Sequence, residues 1–505
     1  MTTDPATQGA GSPPDPDPDP DPCAPRPEGS PAPYLLLVGA AALAVGLAAG
    51  IGPIRDIDSY WHIVLGREIL DGVAPALAGR GWSFAPIANT WVSTQWLAET
   101  LLAWLDSHGG LRSLLVYRAV STMLVLLTLW LVTVHRRPVR AGAWLFAAGA
   151  VSASLYSQER SQQLTFLLAP IVGWWIERAW RSGRLPLWWV VVPLVVVWSN
   201  YHGGWVILPL GLGLAAAARA LDHGWRDVAA RRSLVLAVVT TLAAAVSPSG
   251  PANVVAALRF NASTTRIQEW IPLQLWDWLS LPLVLLLGVA VISWARGRVR
   301  PSRGELALVL TMLLVATSAW RTMTPVVLML APILTGTLAR ALGLADPAPE
   351  SERPALRRTS LALAAVGALV AVLAALIQVP VVPPEVPLTL VERIRAAAPQ
   401  RVLNDYNIAG PLLYFGGPPP AVTVGIDGRA DRYGAAYIAS YHDGLMNGRQ
   451  GWEEQVAGLS PTCALLRSDT ALPELLVRAL GWVVVEREGD WVLLRAPGAA
   501  GWSGT

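Results

Sequence analysis

A chain of 505 residues that is 53% hydrophobic and only 14% charged is far from a soluble domain, where about a quarter of residues are charged. The formal net charge of +3 does not indicate a nucleic-acid partner, because the basic residues fall in short loops between apolar runs, where they report membrane topology. The sequence contains no lysine, which excludes a Schiff-base lysine and a P-loop lysine. Cys23 and Cys463 are too few and too distant for a disulfide framework or a zinc site.

Residues 1–33 include the run Asp15-Pro16-Asp17-Pro18-Asp19-Pro20-Asp21-Pro22. Proline blocks helix and ladder and the carboxylates repel, so this stretch is expected to be a disordered, solvated cytoplasmic tail. Calcium binding by the repeat is disfavoured, because the prolines hinder convergence of the carboxylates. The stretch lacks the basic start and cleavage site of a signal peptide.

A spanning helix needs roughly 20 apolar residues. Eleven spans are predicted, at 34–52, 112–134, 141–157, 163–178, 186–200, 204–220, 233–248, 279–295, 305–320, 325–342 and 359–380. Arg136, Arg137 and Arg140 follow the second; Arg178, Arg181 and Arg184 the fourth; Arg219, Arg226, Arg231 and Arg232 the sixth. Arg296, Arg298, Arg300 and Arg303 follow the eighth, and Arg340, Arg353, Arg357 and Arg358 the tenth. All five clusters fall on one face, predicted to be cytoplasmic. The transmembrane domain is thus expected over 34–380, with the N-terminus inside and residues 381–505 outside.

The first outer loop, 53–111, opens on Arg55-Asp56-Ile57-Asp58-Ser59-Tyr60-Trp61-His62. The positive-inside rule gives no reason for a spaced acidic pair followed by Trp-His. Within this loop, 61–70 and 95–105 read as helices lying in the interface with indoles at headgroup depth. Polar residues recur at other outer ends: Gln95 and Glu99; Glu159, Arg160 and Gln162; Asn200 and His202 beside Gly203-Gly204; Gln268, Glu269 and Trp270; and Arg321. Charges are costly in the hydrocarbon core and persist where they line a wet cavity, so these ends predict a polar cavity at the outer surface. Each residue also has a plain structural reading. The aspartates could be a solvated loop, His62 could bond Asp58 along one helix turn, Arg160 and Arg321 could anchor at the surface, and His202 could cap its turn. Glu99 could face water, and Glu159 is expected to pair locally.

Residues 381–505 read as a small α/β domain. Strands are predicted at 401–404, 422–427, 462–467, 482–487 and 491–495, and helices near 434–446, 451–458 and 471–480. Asp427, Arg429 and Asp431 follow a strand end and are expected to form an internal salt-bridge network around a turn, the alternative being acceptor binding or closure over the membrane cavity.

A carboxylate beside a membrane-surface cavity suits transfer from a lipid phosphate donor, which needs a base or metal for the acceptor hydroxyl and a cation for the departing phosphate. Asp56 or Asp58 suits the first role; Arg160, Arg321 or His202 suits the second. The pattern Asp56-x-Asp58-x-x-Trp61-His62-x-x-x-Gly66-x-x-Ile69-Leu70, followed by Gln95-Trp96-Leu97-Ala98-Glu99, resembles a large group of bacterial polytopic proteins. That group is similar to the C-superfamily of glycosyltransferases, which includes protein O-mannosyltransferases and the lipid A aminoarabinose transferase. Arg160-Ser161-Gln162, Trp198 to Gly204, Ile267 to Trp270, Arg321, Asn404-Asp405-Tyr406 and Ile426 to Gly434 carry the same resemblance, over about residues 34–495. The chain departs from the usual pattern at Ser59-Tyr60 and at Ser161.

The resemblance implies an α-helical polytopic enzyme of the inner membrane that moves a sugar from a polyprenyl phosphate to an acceptor (glycan, lipid or protein). It puts the catalytic or metal-binding carboxylate at Asp56 and Asp58, and the Asp-x-Asp form admits a divalent cation, Mg or Mn, through oxygen ligands. His62 and Glu99 join the catalytic set, Arg160, Gln162, His202 and Arg321 the phosphate-binding set, and Asn200, Gln268, Glu269 and Trp270 the cavity. The rival classes are a lipid or polysaccharide transporter, which requires polar groups at mid-depth, and a non-catalytic scaffold.

Overall fold

The computed structural model describes residues 32–87, 91–135, 137–258, 271–296, 300–344 and 353–502. Helices lie over all eleven expected spans. They are α1 (Ala32–Gly50), the second half of α3 (Trp96–Thr133), α4 (Val139–Leu155), α5 (Gln162–Ser182), α6 (Trp188–Tyr201), α7 (Ile207–His223), α8 (Val228–Ala243), α10 (Leu281–Arg296), α11 (Arg303–Thr317), α12 (Trp320–Ala341) and α13 (Arg353–Ile377). Two further helices are α2 (Ser59–Leu70) and α9 (Pro251–Leu258). Among the described residues, five helices are long and apolar enough to cross a membrane. Large apolar side chains stay exposed along this bundle, among them Trp188, Trp189, Leu242, Leu285 and Leu314. In water such a surface would aggregate, whereas lipid tails solvate it. The protein is a mostly helical, polytopic membrane protein.

Close helix contact comes from small residues, as expected where no hydrophobic drive pulls helices together in lipid. Gly46 and Gly50, one turn apart on α1, face α13, and a Cβ at Gly50 would overlap the carbonyl of Ala371. Gly110, at φ 59°, breaks α3 into an outer piece and a spanning piece. Unbroken, its 38 residues would run ~57 Å, about twice the hydrocarbon thickness.

The C-terminal region adds α14 (Leu388–Ala396), β1 (Gln400–Asn404), α15 (Ala409–Phe415), β2 (Val422–Val424), α16 (Ala430–Ala439), α17 (Trp452–Leu459), β3 (Cys463–Arg467), α18 (Leu472–Leu480), β4 (Val483–Glu488) and β5 (Trp491–Arg495). The sheet order is β2-β1-β3-β5-β4; β1 runs parallel to β2 and β3, and β5 antiparallel to β3 and β4.

The first outer loop does not stand apart from this domain. The Phe84 N–H donates to the Val424 carbonyl (3.1 Å) and the Val424 N–H to that of Trp82 (2.8 Å), so residues 82–84 extend the sheet beside β2. Trp61, Val64, Leu65 and Trp82 share one core with Leu390, Val402, Leu412 and Val424. Helix α2 is therefore packed between α3 and the C-terminal domain rather than laid out on a lipid interface, and Trp61 is only 4% exposed. Trp104, in the part of α3 before Gly110, is 49% exposed.

Candidate active site

Asp56 and Asp58 sit in the turn between the end of α1 and the start of α2. Asp56 Oδ1 accepts the Asp58 N–H at 3.1 Å, and the Asp56 carbonyl accepts the Ser59 N–H at 3.1 Å, so Asp56 shapes the turn. Arg160 joins both carboxylates: its Nε pairs with Asp56 Oδ2 and its Nη2 with Asp58 Oδ2. The Asp56 side chain is 8% exposed and that of Asp58 23%, so Asp58 is the more accessible.

The donor set does not suit the divalent ion that the Asp-x-Asp spacing admits. One guanidinium fork already holds both carboxylates, and among the described residues no group of three or more His, Cys, Asp or Glu side chains converges on a metal position. A cation there would face a fixed positive charge.

His62 does not reach back to the Asp58 carboxylate along the helix. Its backbone N–H donates to the Asp58 carbonyl (3.1 Å), and its Nδ1 lies 3.1 Å from Glu99 Oε1. Both side chains are buried, and α2 crosses α3 here because Gly66 has no side chain; a Cβ would overlap the Glu99 carbonyl. Burial, then the nearby Arg160 charge, pushes the His62 imidazole down to about 3.

His202 caps its own turn. Nδ1 accepts the Gly204 N–H at 3.0 Å and lies 2.7 Å from Thr165 Oγ1, which in turn accepts Trp198 Nε1–H at 3.0 Å. A Cβ on Gly204 would overlap Thr165 Oγ1, so glycine is required for this approach. With Nδ1 accepting, the neutral ring carries its proton on Nε2, which is left as its remaining donor. Burial, followed by the charges of Arg321 and Arg160, pushes His202 down to about 3. The two arginines expected to hold phosphate thus both act on this imidazole through their charge, Arg321 from the first turn of α12.

These two histidines give a pH expectation. Both are neutral in the fold and take up protons at about pH 6.5 when unfolded, so their share of the stability falls as pH drops below 6.5 toward 3; Glu99, which burial pushes up to about 8, holds a proton in the fold that the unfolded chain lacks and offsets part of that loss. Each contributes a loss of about 2 kcal/mol between pH 6.5 and 5. Thermal midpoints in detergent should fall over that range, and His62→Gln should flatten the slope; an unchanged slope would show that His62 already carries its proton in the fold.

The C-terminal domain closes on the same place. The loops leaving the carboxyl ends of β1 and β2, where ligand crevices form in open α/β sheets, carry Asp405-Tyr406 and Ile426-Asp427-Gly428-Arg429. Gly428 packs so closely that a Cβ would overlap Trp61 Nε1 and Asp58 Oδ1. Tyr406 donates to the Gly428 carbonyl at 3.2 Å, and burial followed by the Asp58 and Asp427 charges raises its phenol well above the ordinary value. Asp427 and Arg429 form the expected internal network: Arg429 Nε and Nη2 reach Asp427 at 2.8 and 2.6 Å, and Tyr433 donates to Asp427 at 2.8 Å. Arg429 Nη1 also donates to the Gly79 carbonyl (2.8 Å), which ties the first outer loop to this domain. Gly428→Ala should displace Asp58 and press on the buried Trp61 indole; a transfer rate lowered about tenfold or more, together with a lowered thermal midpoint, is the expected result, and wild-type values of both would show that the loop yields without moving Asp58.

Other expected members have structural partners. Asn200 accepts from Trp96 Nε1 (2.7 Å) and donates to the carbonyls of Val196 and Val246 (2.8 Å each). Gln162 donates to Gln158 Oε1 (3.1 Å). Gln95 accepts from the Ser161 hydroxyl (2.5 Å) and so couples the start of α3 to the Arg160 loop. Glu159 pairs with Arg118, both fully buried. Gln268, Glu269 and Trp270 lie outside the described residues. The residues that sequence reasoning passed over are Arg118 and Thr165. A charge inside the apolar span 112–134 signals Arg118, whereas nothing local marks Thr165.

No family model and no curated protein matches the chain. Among solved structures it is similar to the crystal structure of ArnT from Cupriavidus metallidurans in the apo state, at 16% sequence identity and a TM-score of 0.47, over 92% of this chain and 98% of that one.

Proposed function

We propose that the protein is a glycosyltransferase of the bacterial inner membrane that transfers a sugar from a polyprenyl phosphate to an acceptor hydroxyl, at a site on the extracytoplasmic face. The observation that carries this reading is the junction itself. Two carboxylates meet one arginine where the spanning helices end, with His202 in the field of that arginine and of Arg321, and the Gly428 loop packed over Asp58. The motif resemblance over residues 34–495 supports the same reading, and so does the arginine bias of the other face.

In this reading Asp58 is the general base. The acceptor oxygen attacks the anomeric carbon, its proton passes to the Asp58 carboxylate, and the bond from that carbon to the phosphate oxygen breaks. The phosphate leaves with the electron pair. Arg160, Arg321 and the Nε2–H of His202 stabilise the charge that develops on it. A guanidinium has five N–H donors, so Arg160 can keep an aspartate while binding phosphate. Asp56 orients Arg160 and the turn. His62, braced by Glu99, supports the start of α2 beneath Asp58.

The test is a reconstituted assay of the full chain with a panel of radiolabelled polyprenyl-phosphate sugars and an envelope extract as acceptor source. Release of polyprenyl phosphate coupled to sugar transfer is expected with at least one donor. Silence with every donor, or cysteine labelling that puts residue 56 in the cytoplasm, would overturn the proposal.

A further inference from the structure

A cavity of about 240 Å³ opens at the far end of the bundle, where α5, α10, α11 and α12 end or begin. Helix α5 runs ~30 Å from Gln162, next to the Arg160 loop, to Ser182, so this cavity belongs to the opposite, arginine-rich face. Its wall includes Arg181, Arg300, Arg340, Ser293, Trp294 and Glu305. The one acid there is already satisfied: Glu305 accepts from Thr337 Oγ1 at 2.6 Å and Arg340 Nη2 at 3.2 Å, with Arg181 Nη2 at 3.5 Å. Arg181 Nε lies 3.3 Å from Glu177, whose other oxygen Arg137 holds. The lining itself holds Arg181, Arg300 and Arg340 against Glu305; behind it Arg137 offsets Glu177, and Asp222, bonded to Ser302, leaves a net excess of one positive charge among the described residues.

Two buried donors in the wall have no hydrogen-bond partner, Ser293 Oγ and Trp294 Nε1. Ser293 is 3% exposed, so its hydroxyl is cut off from bulk water and costs free energy unless an acceptor comes to it. The N-terminus of α11 is not what makes the site: its Ser302 hydroxyl and Gly304 N–H already donate to Asp222. Excess positive charge, idle donors and a volume below the roughly 300–1,000 Å³ of pockets that engulf drug-sized ligands call for a small oxyanion. We propose that this cavity binds a phosphate group, presented by an anionic phospholipid headgroup or by soluble phosphate. Basic pockets between membrane helices hold lipid headgroups in this way. The proposal is independent of the glycosyltransferase reading.

The full chain, purified in neutral detergent, would be exposed to phosphatidylglycerol and read by native mass spectrometry, with diacylglycerol as the uncharged control. In parallel, inorganic phosphate would be titrated against the thermal midpoint. The variants are Arg300→Gln, whose side chain is exposed and expendable for folding, and Ser293→Ala, with Arg226→Gln as a remote control. Retention of phosphatidylglycerol but not diacylglycerol, weakened about tenfold or more by Arg300→Gln and by Ser293→Ala, is the result expected for a headgroup. A midpoint raised by millimolar phosphate and erased by the same variants assigns soluble phosphate instead. If wild type responds to neither probe, or both variants respond as wild type does, the proposal fails.

Discussion

Asp58→Asn is expected to lower sugar transfer by about 10²–10⁴-fold with only a small drop in thermal midpoint, whereas Asp56→Asn should lower the midpoint more and transfer less. The range is what a positioned general base contributes. The two carboxylates are chemically alike, and their surroundings separate them. Asp56 is the more buried and spends Oδ1 on the Asp58 N–H, so it holds the turn. Asp58 makes no such backbone bond, is more exposed, and lies under Gly428, where an acceptor entering between the two domains would arrive. Asparagine at 58 is isosteric and keeps one oxygen for Arg160, but it takes up no proton. Asparagine at 56 can still accept the Asp58 N–H, yet it removes one of the two charges that fix Arg160. Its transfer rate should therefore drop about tenfold through misplaced phosphate contacts, with a raised KM for the lipid donor. Initial rates in proteoliposomes and thermal midpoints in detergent check both. Wild-type turnover by Asp58→Asn would remove Asp58 from the reaction.

The helical half of this fold was largely legible because each signal is local. Apolar length marks the spans, and arginines mark one face. The strands at 400–404, 422–424, 463–467, 483–488 and 491–495 fall where alternation and turn residues put them. Helices α14 and α15 were not anticipated: both are short, and Pro411 interrupts the apolar spacing of the second. What no local pattern carries is the union of the first outer loop with the C-terminal domain. Residues 82–84 meet β2 across about 340 positions, and Gly428 meets Asp58 across 370. The interfacial expectation for α2 failed for the same reason, since a helix apolar on more than one side suits a lipid surface or a second protein layer equally well, and only the tertiary partner decides. The charged residues of the site were visible as residue types. Their pairing was not: no local signal joins Arg160 to two aspartates about 100 positions earlier, which the fold does.

Glu159→Ala is the substitution expected to cost most stability, about 3–5 kcal/mol. It strands Arg118, which is fully buried and has no route to neutrality, because a guanidinium keeps its proton in proteins. The reverse change is milder. Burial already raises the Glu159 carboxyl, so without Arg118 it can take up a proton and donate a hydrogen bond. Arg118→Met still carries a separate loss, for Arg118 also donates to the carbonyls of Ala49, Ile51, Gly52 and Pro53 at the end of α1. Those carbonyls have no partner within the helix. A double-mutant cycle with Arg118→Met and Glu159→Leu separates the contributions. If the ion pair dominates, the double variant should be more stable than Glu159→Leu alone; if the carbonyl contacts dominate, it should be no better. Glu159 also accepts the Arg55 N–H (3.1 Å) and, through its backbone, the Ser59 hydroxyl (2.9 Å) on either side of the aspartates. The thermal loss in Glu159→Ala should thus come with a loss of transfer, and Glu159→Gln, which keeps an acceptor for Arg55, should recover part of the activity ahead of the stability. Recovery of both together would mean that Glu159 acts only through the ion pair and not on the turn that presents Asp58.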